Sequence, residues 1–154
     1  MPVERGAAVL VFNSLNAIGF VDGGANAVVE ALVDVFVTRN AGTVMAPTFS
    51  IDGATSAAGP VFHVASTPSS GGALAEAFRR HAKARRSIHP THSFAAIGRH
   101  ADWLTQAHHR CGVTFGRGSP MARLKEANGH VVGIGTDLGA APFFHCLEEI
   151  EDRF

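Results

Sequence analysis

Ala7-Ala8-Val9-Leu10-Val11-Phe12 runs directly into Asn13-Ser14-Leu15-Asn16-Ala17-Ile18-Gly19-Phe20-Val21-Asp22-Gly23-Gly24. The first six residues are an unbroken apolar run bounded by Gly6 and Asn13, the pattern of a strand buried on both faces. The rest is polar and punctuated by glycine, a loop. Over residues 25–36 the apolar positions Val28, Val29, Leu32, Val33 and Phe36 recur at helical spacing. Gly42 ends that connection, and residues 43–45 form a second short strand stopped by Pro47. Strand, glycine loop, helix and strand make a βαβ unit with parallel pairing, which sets the fold class as α/β.

Further along, residues 48–72 shift to Gly, Ser, Thr, Ala and Pro, with only residues 61–64 readable as a strand. Residues 73–83 are expected to be a helix with basic residues gathered at its C-terminal end, where the dipole favours them. Then comes Ile88-His89-Pro90-Thr91-His92-Ser93-Phe94-Ala95-Ala96-Ile97-Gly98. Pro90 pushes His89 out of the helical region, so a stiff polar loop precedes a buried strand over 94–97. A polar cluster so held is how a fold presents a site. A third helix is expected over 101–109. Ser119 caps a fourth with Pro120 at its first position, and Asn128-Gly129 turns the chain into a strand over 130–134. Residues 143–150 read as the start of another helix.

With 154 residues, the length fits one domain and one core. Thirteen basic and thirteen acidic residues balance to a formal charge of zero, so no basic face points to nucleic acid or an anionic membrane. The sequence shows neither a signal peptide nor a transmembrane run, so a cytoplasmic protein is expected. The two cysteines are too few for a disulfide scaffold.

The glycine loop has two readings. Backbone amides at a glycine-rich turn entering a helix suit an anion, so Ser14, Gly19, Gly23 and Gly24 could cradle a phosphate. The alternative is an ordinary tight strand-to-helix connection. His145 and Glu148, at i and i+3, share a face of the last helix. A histidine oriented by a carboxylate is a good general base near neutral pH; otherwise the pair is a capping or core histidine beside a solvated glutamate. His89, His92 and His145 would make three imidazoles for a metal, but Pro90 splits the first pair and no metal is expected. His108 and His109 read as surface residues and Cys146 as a small buried hydrophobe. The basic run over 79–86 reads as a solvated helix end rather than a contact for a phosphorylated cofactor tail.

Six ordered stretches carry a resemblance. They are Ser14-Leu15-Asn16-Ala17-Ile18-Gly19 with Gly23-Gly24; Gly42-Thr43-Val44-Met45-Ala46-Pro47-Thr48-Phe49; Thr67-Pro68-Ser69 with Gly72-Ala73-Leu74-Ala75-Glu76-Ala77-Phe78-Arg79; Arg86-Ser87-Ile88-His89-Pro90-Thr91-His92-Ser93; Phe115-Gly116-Arg117-Gly118-Ser119-Pro120; and His145-Cys146-Leu147-Glu148. The sequence resembles the antibiotic N-acetyltransferase family, the acetyl-CoA-dependent aminoglycoside 3-N-acetyltransferases. The resemblance implies a three-layer α/β fold with a mixed, largely parallel central sheet flanked by helices, here as a single domain over residues 1–154 that is short relative to the family.

It further implies that acetyl-CoA is the acyl donor. Ser14, Leu15, Gly19, Gly23 and Gly24, with Ser87, His89, Pro90, Thr91, His92 and Ser93, would line its site. His145 would be the catalytic base with Glu148 beside it, and Asp52 is the candidate acid for a polycationic aminoglycoside. Two departures stand out. The family's His-Ser-Ser-Leu is here Phe12-Asn13-Ser14-Leu15, and its Asn-Thr-Ser before the catalytic histidine is Ala141-Pro142-Phe143. The competing expectations are a catalytically impaired CoA-binding fragment and an acyltransferase for another amino sugar. A homo-oligomer would protect the sheet edge that a shortened domain exposes.

Overall fold

The computed structural model describes residues 3–50 and 61–136. The chain opens with β1 (Ala8–Asn13), a single-turn helix α1 (Leu15–Ile18), α2 (Gly24–Val33) and β2 (Thr43–Pro47). α3 (Gly72–Arg80), β3 (Arg85–Arg86) and β4 (Phe94–Gly98) follow, then α4 (Ala101–Thr105), α5 (Pro120–Glu126) and β5 (His130–Ile134).

The five strands form one sheet in the order β3-β4-β2-β1-β5. β1 pairs in parallel with β2, Leu10 beside Met45, and with β5, Leu10 beside Val131. The βαβ unit is therefore present. β4 runs antiparallel to β2, with Phe94 beside Pro47 and Gly98 beside Thr43, and β3 is antiparallel to β4. The sheet is mixed, its parallel part being the β2-β1-β5 half. The reversal has a positional consequence. Because β4 enters where β2 leaves, the 87–93 loop lies at the same end of the sheet as the carboxyl ends of β1, β2 and β5.

Two-residue alternation explains why these strands are apolar throughout. Ala8, Leu10, Phe12, Met45, Phe94 and Ala96 face one apolar layer, with Leu104 from α4 and Met121 and Leu124 from α5. Val9, Val11, Val44, Ala46, Ala95 and Ile97 face the other, with Val29 and Leu32 from α2 and Leu74 and Phe78 from α3. The three layers are thus α2/α3, sheet and α4/α5. None of the described helices is long and apolar enough to cross a membrane.

Several elements differ from expectation. α2 stops at Val33 and continues as π-helical turns over Asp34–Arg39, so the helical pattern outlasts the α-helix itself. The helix expected over 73–83 ends at Arg80. Residues 61–64 form no strand: Val61 is 69% exposed, and the Val64 carbonyl accepts from Arg86 instead of from a neighbouring strand. The helix expected over 101–109 breaks after Thr105. Ala107 adopts a left-handed conformation (φ 54°) and leads into a 3₁₀ turn, His108–Arg110, which swings His108 into the interior.

Candidate functional site

Ser14 ends β1 with its amide donating to the Ile134 carbonyl (3.0 Å), which ties the first loop to β5. The Ser14 carbonyl accepts from the amides of Ala17 and Ile18, and the Leu15 carbonyl accepts from Gly19. Those donors close α1 on itself, so the anion-cradle reading cannot use them. The chain then reaches α2 through Gly23 and Gly24, at φ 77° and 59°, conformations that glycine adopts without steric cost. The loop encloses an open groove of about 770 Å³ lined by Leu15, Gly19, Phe20, Gly23 and Gly24 among others. Phe20, 96% exposed, projects at its rim. Leu15, Gly19, Gly23 and Gly24 therefore come together in one concavity, whereas Ser14 is not among the residues that line it.

The 87–93 loop is locked from several sides. Thr48 and Ser93 are bound reciprocally: the Thr48 amide donates to the Ser93 carbonyl (2.8 Å), and the Ser93 hydroxyl donates to the Thr48 carbonyl (2.8 Å). The Ser50 amide and hydroxyl donate to the carbonyls of Thr91 and Pro90. Arg86 donates through Nε to Ser93 Oγ and through its other nitrogens to the carbonyls of Thr48, Val64 and Thr67. Burial, followed by repulsion from Arg79, lowers its pKa to about 10. The Phe62 ring lies 4.8 Å from its guanidinium. Arg79 pairs with Glu76 (2.7 Å), and hydrogen bonding from Arg79 holds the Glu76 carboxyl down at about 2.

Two of the basic run are thus structural clamps, which corrects the solvated-helix-end reading. The reason is tertiary: carbonyls freed by the irregular 61–70 segment need donors. Ser87 and Ser93 are fully buried and bound within the protein, whereas His89, Thr91 and His92 are half-buried and Pro90 is exposed.

Rings join this loop to the sheet. Phe49 packs edge-on against His92 (4.7 Å) and Phe94 (5.4 Å), and Phe115 packs against His92 (5.5 Å). Phe49 also lines a cleft of about 140 Å³ at the carboxyl ends of β1 and β2, together with Phe12, Asn13, Pro47, Gly71, Ala75 and Thr136. This cleft sits where β1 has β2 on one side and β5 on the other. Ligands of open α/β sheets bind at such reversal points, outside the carboxyl ends of the strands. The glycine groove leaves β1 at this end, and the 87–93 loop enters β4 there.

Sequence reasoning missed His108. It is fully buried rather than at the surface, with Nδ1 2.9 Å from Ser87 Oγ and Nε2 2.9 Å from the Thr114 carbonyl. Burial is the main cause lowering its pKa to about 4, with His89, Arg123 and His92 contributing. A signal was there to read: Ala101, Leu104, Thr105 and His108 are spaced along one helical face, and all four are buried. Asp52, His145, Cys146 and Glu148 lie outside the described residues. Among the described residues, no group of three histidine, cysteine or acidic side chains is placed to hold a metal ion.

Comparison with known proteins agrees with this architecture. The family described as aminoglycoside 3-N-acetyltransferase matches residues 10–153. The Bacillus subtilis SPbeta prophage-derived aminoglycoside N(3')-acetyltransferase-like protein YokD is 32% identical over 95% of this chain and 60% of its own length. The crystal structure of aminoglycoside acetyltransferase AAC(3)-IIb superposes with a TM-score of 0.84 at 32% identity, covering 96% of this chain and 59% of that one. AAC-IIIb, solved as a binary complex with CoASH, superposes with a TM-score of 0.75 at 27% identity, covering 92% of this chain and 57% of that one. The chain therefore spans under two thirds of the length of these relatives. With the family match running from β1 to residue 153 and the same three-layer sheet in its relatives, this chain belongs to the aminoglycoside 3-N-acetyltransferase family.

Proposed function

We propose that the protein binds acetyl-CoA across the carboxyl end of its sheet and transfers the acetyl group to an amine, the 3-amino group of an aminoglycoside. The observation that carries this reading is convergence. The glycine groove after β1 and the 87–93 loop before β4 open at one end of the sheet, beside the cleft that Phe49 lines. The complex of AAC-IIIb with CoASH supports the choice of donor.

In the reaction, the acceptor nitrogen attacks the thioester carbonyl while His145, oriented by Glu148, takes a proton from that nitrogen. The new C–N bond leaves a tetrahedral oxyanion, which hydrogen-bond donors of the site stabilise. Its collapse breaks the C–S bond, and the departing sulfur takes the proton from His145, giving free coenzyme A thiol and an amide. Asp52 supplies negative charge to the polycationic acceptor. His145, Glu148 and Asp52 take these roles from the resemblance to the family.

Thiol release from acetyl-CoA, measured with a panel of aminoglycosides, tests the reading. Turnover by the wild type that falls at least ~10²-fold in His145→Ala is the expected result. A second reading rests on Ala141-Pro142-Phe143, apolar residues just ahead of His145 where the family has polar ones. It is a coenzyme A-binding domain without turnover, and saturable binding with no thiol release would favour it. Release only with amino sugars outside the aminoglycosides would move the acceptor class. Neither binding nor turnover would sink both readings.

A further inference from the structure

The buried His108 cluster is the most fully built polar feature of the described residues that the proposed reaction leaves unused. Thr114 presents a carbonyl to His108 Nε2 (2.9 Å), so that nitrogen carries the proton. Nδ1 is then bare and accepts from the Ser87 hydroxyl (2.9 Å). The same hydroxyl oxygen accepts from the Phe94 amide (2.9 Å), closing the base of the loop between β3 and β4. Both Ser87 and His108 are fully buried, so water cannot substitute for either partner.

A second line of contact reaches the tip of the loop. The His89 ring stacks on His108 with centroids 4.6 Å apart and planes 32° apart. His89 Nδ1 in turn accepts from the His92 amide (2.9 Å) and the Thr91 amide (3.3 Å). The plane of His108 therefore sets the plane of His89, and that plane sets the turn through Thr91 and His92. A residue needed only for packing would require neither directed hydrogen bond.

We propose that His108 is a positioning residue for the acyl donor: through the Ser87 hydroxyl and the stacked His89 ring, it holds the 87–93 loop in the shape that receives coenzyme A. The proposal rests on the acetyl-CoA reading above for its ligand, but its hold on the loop can be measured without one.

The test compares wild type, His108→Phe and His108→Asn by site-resolved amide hydrogen exchange and by calorimetric titration with coenzyme A. Phenylalanine keeps a ring against His89 but gives Ser87 no acceptor. Asparagine offers Ser87 a carbonyl oxygen. In His108→Phe, which keeps the ring but removes the acceptor, exchange at the Phe94 amide should quicken roughly tenfold while amides of β1 stay protected. The coenzyme A dissociation constant should rise by a similar factor, and His108→Asn should recover much of both.

Wild-type exchange and affinity in His108→Phe would overturn the proposal. So would exchange rising equally in β1, which is the mark of a merely structural residue. If His108→Phe does not fold, Ser87→Ala carries the same comparison with the loss of one hydroxyl. A loosened loop in the variant, with no coenzyme A binding even by the wild type, upholds the grip of His108 on the loop and overturns the acetyl-CoA reading.

Discussion

His108 ties fold stability to pH. Its pKa falls from 6.5 to about 4 in the folded protein, chiefly through burial. Between those values the unfolded chain binds a proton that the fold refuses. Stability therefore rises with pH across this window; it is complete above 6.5 and is lost as pH falls toward 4. The shift corresponds to about 3 kcal/mol. Thermal melts from pH 7 to 4.5 should show the wild type losing stability more steeply than His108→Asn; parallel slopes would refute the assignment. Glu76 adds a second acid-sensitive step of the same sign below 4.5, because its carboxyl is held down at about 2 by Arg79.

Among the secondary-structure elements, α5 shows how local signals act. Ser119, fully buried, accepts from the Ala122 amide (3.1 Å) and donates to the Phe115 carbonyl (2.9 Å), with Pro120 opening the helix. Ser119→Ala should cost about 1–2 kcal/mol, read as a lower urea midpoint at unchanged slope. The start of β2 is governed by space instead. A Cβ on Gly42 would lie 2.3 Å from the Ala7 carbonyl oxygen and 2.8 Å from that of Phe36, both backbone atoms. Gly42→Ala should thus cost about 3 kcal/mol by the same measurement. A variant as stable as wild type would mean that β2 can shift away from β1.

At the scale of the molecule, one sheet serves two apolar layers, and β1 feeds both. Leu10 faces α4 and α5 while Val11 faces α2 and α3, and neither is exposed to solvent. Truncating Leu10 to alanine should cost about 2–5 kcal/mol. Since the layers share the sheet, they should unfold together. Fluorescence of Trp103 in α4 and far-ultraviolet circular dichroism should give coincident transitions in wild type and variant. Separate transitions would mean that the two layers are independent.

Much of this was legible along the chain. The apolar run of β1, the 3.6-residue spacing of α2 and the serine-proline start of α5 are local patterns, so composition and periodicity decide them. The glycines and the His-Pro-Thr-His-Ser segment could likewise be picked out as loops, because turn chemistry is local too. What the chain alone did not show was direction and company. β4 runs against β2 because of how the sheet pairs, and only that reversal brings the 87–93 loop to the end where the glycine groove opens. His108 looked like a surface residue until the left-handed Ala107 turned it toward Ser87. Arg79 and Arg86 looked like a solvated helix end until distant carbonyls and Glu76 claimed them. The carbonyls that hold Arg86 are 19 to 38 residues away, and the Ser87 hydroxyl that meets His108 is 21 away; contacts at such separations follow from packing rather than from neighbouring sequence.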